Sequence, residues 1–265
     1  MGPEKGSGGG EIRVAFDLPS AGVRIVDLDR PWTWLARGFA DFRAAPLVGV
    51  AYGLVFTAIG YALGIGLYAA DQVFLILPLG GGFLLVAPML AVGLYRVSER
   101  LEAGARPTFA EAATAWRPVL GQLGVMAFVL VFVYLAWLRI AALIFMLFFG
   151  LDAPAPETFF NQVFLQPESV PFLLVGTGTG AILAFLVFSV SAVSIPMILD
   201  RNASVLAAVV TSVRTVLANP GPMLLWALLI VVFTAAGLAS LFVGLAIMLP
   251  LIGHATWHAY RDLVE

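Results

Sequence analysis

Long apolar stretches fill most of the chain between positions 47 and 252, and 13 of its 14 lysines and arginines can be assigned to one side of them. A helix needs roughly 20 apolar residues to cross about 30 Å of hydrocarbon. The chain therefore reads as all-α, a polytopic membrane helix bundle. Composition agrees, with 61% hydrophobic and only 11% charged residues; a soluble domain carries about 25% charged residues. A net charge of −2 offers no electrostatic footprint for nucleic acid. The absence of cysteine excludes disulfides, thiolate metal sites and cysteine nucleophiles. The first apolar stretch follows a polar leader, so no cleaved signal peptide is expected, and Gly6 stands where a myristoylation signal needs Ser or Thr.

Residues 1–22 are rich in glycine and scattered charge, and read as a disordered tail on the basic side. Residues 23–265 form a single integral membrane domain. Within 23–46, Trp32, Trp34, Leu35, Phe39 and Phe42 alternate with Arg30, Arg37 and Arg43. That mixture suits either a helix lying on the bilayer surface or one packed on the protein itself. Spans are expected at about 47–70, 73–95, 119–149, 171–199, 222–236 and 238–258. Between them, Thr108 and Glu111 form a capping box starting a short helix over 109–117, and 204–217 reads as another, with Asn202-Ala203-Ser204 as a helix start rather than a glycosylation site. The loop after the third span carries Asp152, Glu157 and Glu168 and no base.

Three elements look alike: Ala87-Pro88-Met89-Leu90, Ile195-Pro196-Met197-Ile198 and Leu249-Pro250-Leu251-Ile252. Each sits near the end of the second helix of a pair, and ahead of each pair lies a short helix. The expectation is six transmembrane helices, as three hairpins each preceded by a short interfacial helix. The alternative is five, with 223–252 as one steep helix. In the six-span reading the last hairpin turns near Ala236-Gly237-Leu238. The positive-inside rule then puts both termini in the cytoplasm of a bacterial inner membrane.

Few residues invite chemistry, and no catalytic or phosphate-binding motif is present, so a non-enzyme is expected and no cofactor is required. Gly49, Gly53, Gly60 and Gly64 fall on one face of the first span at about 100° per residue, a stripe for close helix packing or for contact with another chain. Gly80-Gly81-Gly82 and the Gly176, Gly178, Gly180 series mark points where a helix breaks at a transport site or simply packs. Arg139 is the one basic residue inside a span; it either reaches the outer interface or pairs, with Asp71 as its expected partner, or serves a substrate. His254 and His258 have the i, i+4 spacing of a metal or haem site, or belong to an interfacial belt with Trp257 and Tyr260.

The motifs RPWTWLARGFADFR (30–43), APMLAVGLY (87–95) and GHATWHAYR (253–261) resemble the bacterial integral membrane proteins catalogued as domain of unknown function 2189. The likeness covers about 23–264 and implies an inner-membrane protein without an assigned activity; it transfers no functional residues. Some members carry a cytochrome c oxidase label, which two histidines cannot support for a subunit holding two haems and copper. The leading expectation is a non-enzymatic accessory component of a membrane complex. Its partners would be the bilayer and other membrane-protein subunits or a second copy. The alternatives are a small transporter or channel for an apolar or lipid-like solute, and a haem- or metal-binding membrane protein.

Overall fold

A computed structural model describes residues 20–150 and 155–265. The expected tail over 1–22 lies almost entirely outside the described residues, as does Asp152. The described residues form twelve α-helices: α1 (Arg30–Ala44), α2 (Pro46–Ala69), α3 (Ile76–Leu90), α4 (Val92–Glu102), α5 (Phe109–Thr114), α6 (Leu120–Phe149), α7 (Pro156–Phe160), α8 (Val170–Ser191), α9 (Ser194–Arg201), α10 (Val205–Ala218), α11 (Pro220–Ala239) and α12 (Leu245–Leu263). Four continuous helical stretches are long and apolar enough to cross a membrane: Pro46–Ala69, Phe109–Phe149, Pro167–Arg201 and Pro220–Ala239. Val73–Phe83 and Val205–Ala218 are shorter apolar helices.

The joints between short and long helices repeat. Ala45, before Pro46, has φ −133° and ψ 55°, and Asn219, before Pro220, has φ −127° and ψ 55°. A proline ring disfavours the helical region for the residue ahead of it, yet is itself tolerated at a helix start. The same dipeptide chemistry therefore makes the same corner twice. The Thr108–Glu111 capping box forms, with Glu111 N–H donating to the Thr108 hydroxyl at 3.2 Å and Thr108 N–H to the Glu111 carboxylate at 2.9 Å. Ser204 caps α10 by accepting from Ala207 N–H at 3.3 Å.

The second and fourth expected spans are each divided near the recurring proline. α3 gives way to α4 at Ala91, and α8 to α9 at Ala192 and Val193. Backbone groups freed in a buried helix break must find other partners. Here Tyr52 on α2 donates its hydroxyl to Leu90 O at 2.7 Å, and Val193 N–H donates to the Ser212 hydroxyl on α10 at 3.3 Å. The third copy, α12, carries Pro250 without interruption. Of the two readings of the glycine runs, a helix break does not occur, since α3 and α8 run through them. Gly82 and Gly180 instead let the rings of Tyr134 and Trp137 on α6 press against the neighbouring helices.

α12 is the central helix. It packs against α1, α2, α4, α9 and α11, while α6 packs against α3 and α8. α1 lies against the protein through Trp34, Leu35 and Gly38 and leaves Trp32 and Phe39 exposed. The last hairpin turns over 240–244, later than expected, so α11 has 20 residues. Gly237 is not the turn: it is the point where α11 meets Leu245 of α12. The turn uses left-handed backbone at Leu241 and Phe242, with φ 52° and 64°. Such a conformation is unfavourable for residues with a Cβ. It is held because Ser240 donates to Gly237 O at 2.9 Å and accepts from Gly244 N–H at 2.9 Å, and Thr57 on α2 donates to Phe242 O at 3.0 Å. The segment expected as an acid-rich loop also contains helix, α7, with Phe159 and Val163 buried.

A Cβ at Gly53 would lie 2.5 Å from Ala246 O, whereas one at Gly66 meets nothing within 4 Å. Gly53→Ala should therefore destabilise the protein by about 1–3 kcal/mol, the usual cost of overpacking, with Gly66→Ala close to neutral. Thermal unfolding of the two variants in one detergent measures the difference.

Candidate functional site

The four glycines of the α2 stripe face the last hairpin. Gly49 sits against Phe42 and Pro250, Gly53 against Ala246, and Gly60 and Gly64 against Phe242. The stripe is thus occupied within the chain. Arg139 is exposed on α6, and it forms no ion pair with Asp71, which occupies a left-handed position (φ 55°) in the turn after α2. The expected Arg139–Asp71 pairing is absent: Arg139 points outward from the bundle, and the described residues give it no hydrogen bond or ion pair.

His254 and His258 share a face of α12 but turn to different helices. His254 is fully buried, with Nδ1 2.8 Å from the Ser98 hydroxyl on α4, and His258 Nε2 lies 2.8 Å from the Asp41 carboxylate on α1. Among the described residues no group of three His, Cys, Asp or Glu side chains has metal-site geometry. The two rings join helices rather than converge on a shared ligand.

The basic end of the bundle is held by a polar network on the last turns of α12. Trp257 donates to Glu102 at 3.1 Å, and Arg261 donates to Glu102 at 3.3 Å and to Asp200 at 3.5 Å. Tyr260 donates to Asp200 at 2.6 Å and accepts from Arg201 at 2.8 Å. Burial, with the hydrogen bond to Asp200, pushes the Tyr260 hydroxyl pKa up. These bonds tie α12 to α4, which follows Pro88, and to α9, which contains Pro196. On the opposite side Asp262 receives Arg30 Nε at 2.8 Å, a second Arg30 nitrogen at 2.6 Å and Trp34 Nε1 at 2.9 Å. Burial alone would raise the Asp262 pKa, but the hydrogen bonds from Arg30 and Trp34 hold it below its ordinary value. The N-terminal segment closes this end: Arg24 N–H donates to Leu263 O at 2.9 Å and Glu265 N–H to Gly22 O at 3.0 Å.

The other feature with site character is a cleft of about 630 Å³ between α3, α8, α11 and α12, within the ~300–1,000 Å³ range of ligand pockets. It exists because α11 is drawn to α12 and α8 to α6, so that α8 and α11 scarcely meet. Its wall along α8 runs from Ala181 to Ala192, roughly 16 Å at 1.5 Å per residue. The lining is almost wholly apolar, with small residues such as Ala87, Ala184 and Ala227 supplying the space. Among the described residues, no Lys, Arg, Asp, Glu or His lines it. Tyr95, Ser191, Trp226 and Thr256 lie toward the basic end, and Thr234 stands apart from them, farther along α11. Ser191 and Thr256 donate their hydroxyls to Val187 O and Ile252 O of their own helices at 2.7 and 2.8 Å. Neither Arg139 nor the glycine runs line the cleft.

Sequence reasoning missed this cleft. Tyr95 closes the 87–95 motif, and Trp226 falls in an apolar run, but neither shows by spacing that two helices fail to meet.

Residues 76–200 match the family described as predicted integral membrane protein (DUF2189). The resemblance carried by the 87–95 motif is thereby shown over that stretch, and the 30–43 and 253–261 motifs lie outside it. No curated protein and no solved structure matches the chain.

Asp262→Asn should lower stability at neutral pH by roughly 1–3 kcal/mol, the range for hydrogen bonds to a charged group. Because the folded pKa is depressed, the carboxylate's contribution is present above the ordinary carboxylate range and is lost as pH falls through the folded value. Unfolding midpoints of the wild type and variant should therefore converge in acid; a gap independent of pH would contradict the assignment.

Proposed function

We propose, with an integral membrane protein of this family as the premise, that the chain is a non-enzymatic carrier or channel element for a lipid-like solute. The reading is supported above all by the apolar cleft between α8 and α11. An apolar cavity is a poor place for water, and in a bilayer hydrocarbon is the medium at hand to fill it. Burying a chain there gains contacts on all sides.

The same reading includes six crossings, with α3 as the second span and α12 up to about His258 in the sixth. Val73 to Leu90 extends roughly 27 Å at 1.5 Å per residue, enough for most of the hydrocarbon core. The pairing of residues 22–24 with 263–265 supports an even number of crossings, and the arginines at that end support a cytoplasmic location in an inner membrane.

Two measurements test these proposals. Ala184→Trp, which places a large ring in the cleft, should remove the lipid retained by wild-type protein through detergent purification, as read by native mass spectrometry. Equal retention would overturn the carrier reading, and a protein subunit seated in the cleft would return the chain to the accessory role expected from sequence. For topology, the chain has no cysteine, so single cysteines report cleanly. One at Asp71 should react with an impermeant maleimide in intact spheroplasts and one at Glu265 only after permeabilisation. The reverse pattern, or labelling of both from outside, would contradict six crossings.

A further inference from the structure

Two hydrogen-bond donors at the inner end of the cleft are unspent. Tyr95 is 2% exposed and lines the cleft, and its hydroxyl, which is not fully occluded, makes no hydrogen bond among the described residues. Trp226 is 1% exposed, lines the cleft from α11, and its indole N–H is buried without an acceptor. A buried donor left unpaired costs about 1–3 kcal/mol, so the occluded Trp226 N–H, with the unengaged Tyr95 hydroxyl at the same end of the cleft, points to an acceptor brought by something else. Resting on the carrier reading above, we infer that the cleft takes a molecule with one long apolar chain and a neutral carbonyl head, whose oxygen accepts from the Tyr95 hydroxyl, with Trp226 as the neighbouring donor.

The head is neutral because of what surrounds it. Among the described residues no cationic side chain lines the cleft, and an ionised carboxylate or phosphate without a counter-charge is expensive to bury. The chain is long because the wall is. Small side chains at Ala181, Ala184 and Ala192 line the cleft along about three turns of α8, which suits an extended hydrocarbon better than a compact ring system. The head lies inward because most of the polar lining residues do, Thr234 excepted: α8 reaches Ser191 and α4 begins toward Tyr95 at the end where the arginines cluster.

The same head chemistry occurs in alkyl quinones and in acyl esters, and a binding series separates them. The probes are a decyl-substituted benzoquinone, methyl oleate, oleate and hexadecane, titrated into delipidated wild-type protein and the variants Tyr95→Phe and Ala184→Trp, with bound probe counted by native mass spectrometry. Ala184→Trp should abolish binding of every probe. Tyr95→Phe should weaken whichever carbonyl probe binds, by roughly fivefold to tenfold, and leave hexadecane unchanged. Its unfolding midpoint should match wild type, since the lost hydroxyl has no partner within the protein. The tighter of quinone and ester names the source. Undiminished carbonyl binding in Tyr95→Phe, or tighter binding of oleate than of its methyl ester, overturns the head assignment while the carrier reading stands. Undiminished binding in Ala184→Trp overturns both.

Discussion

Everything in this fold depends on how closely α12 approaches α2 and α1. Gly53 and Gly38 are the two positions where a Cβ would strike α12 backbone, at Ala246 O and Ala255 N, 2.5 and 2.6 Å away. In lipid there is little hydrophobic force between helices, so contact at this range is what dispersion and backbone proximity can supply. The approach fixes the left-handed turn at Leu241 and Phe242 against α2, and it brings Asp262 within reach of Arg30 and Trp34. It also decides where the bundle is tight and where it is open. With α11 pulled toward α12 and α8 held by α6 and α10, the space between α8 and α11 remains.

The two ends of the molecule consequently have different chemistry. At the basic end Arg30, Arg201, Arg261, Glu102, Asp200 and Asp262 are engaged in joining α1, α4, α9 and α12. Further into the apolar layer, polar groups are scarce and mostly satisfied by their own helices, as Ser191 and Thr256 are. Trp226 Nε1 and His254 Nε2, both buried without a partner, depart from that economy among the described residues, and Tyr95 stands beside the cleft near the boundary between the two regions.

How much of this was legible in the sequence follows from the range of each interaction. The capping box at Thr108 and Glu111, the helix start at Ser204 and the proline corners at Pro46 and Pro220 rest on neighbours within a few residues, and their sequence signals match what forms. The glycine stripe on α2 was legible as a packing face, but its partner was not, because nothing local to Gly53 names Ala246. The turn of the last hairpin was misplaced for a related reason. Gly237 reads locally as a turn residue, yet it serves an approach to Leu245, while Leu241 and Phe242 take the strained positions under the hold of Thr57 and Ser240. The histidine pair shows the same limit: i, i+4 spacing places both rings on one face, but α1 and α4 divide that face between Asp41 and Ser98. The cleft was wholly illegible, since it arises from contacts that two helices do not make.

The central claim is that this gap is a binding site and not an accident of packing. A structure determined in lipid nanodiscs, at a resolution that shows individual acyl chains, tests it most directly. The account predicts one elongated density between α8 and α11, ending within hydrogen-bonding distance of the Tyr95 hydroxyl. A cleft closed by direct contact of α8 with α11, or filled by a helix of another chain, would contradict it.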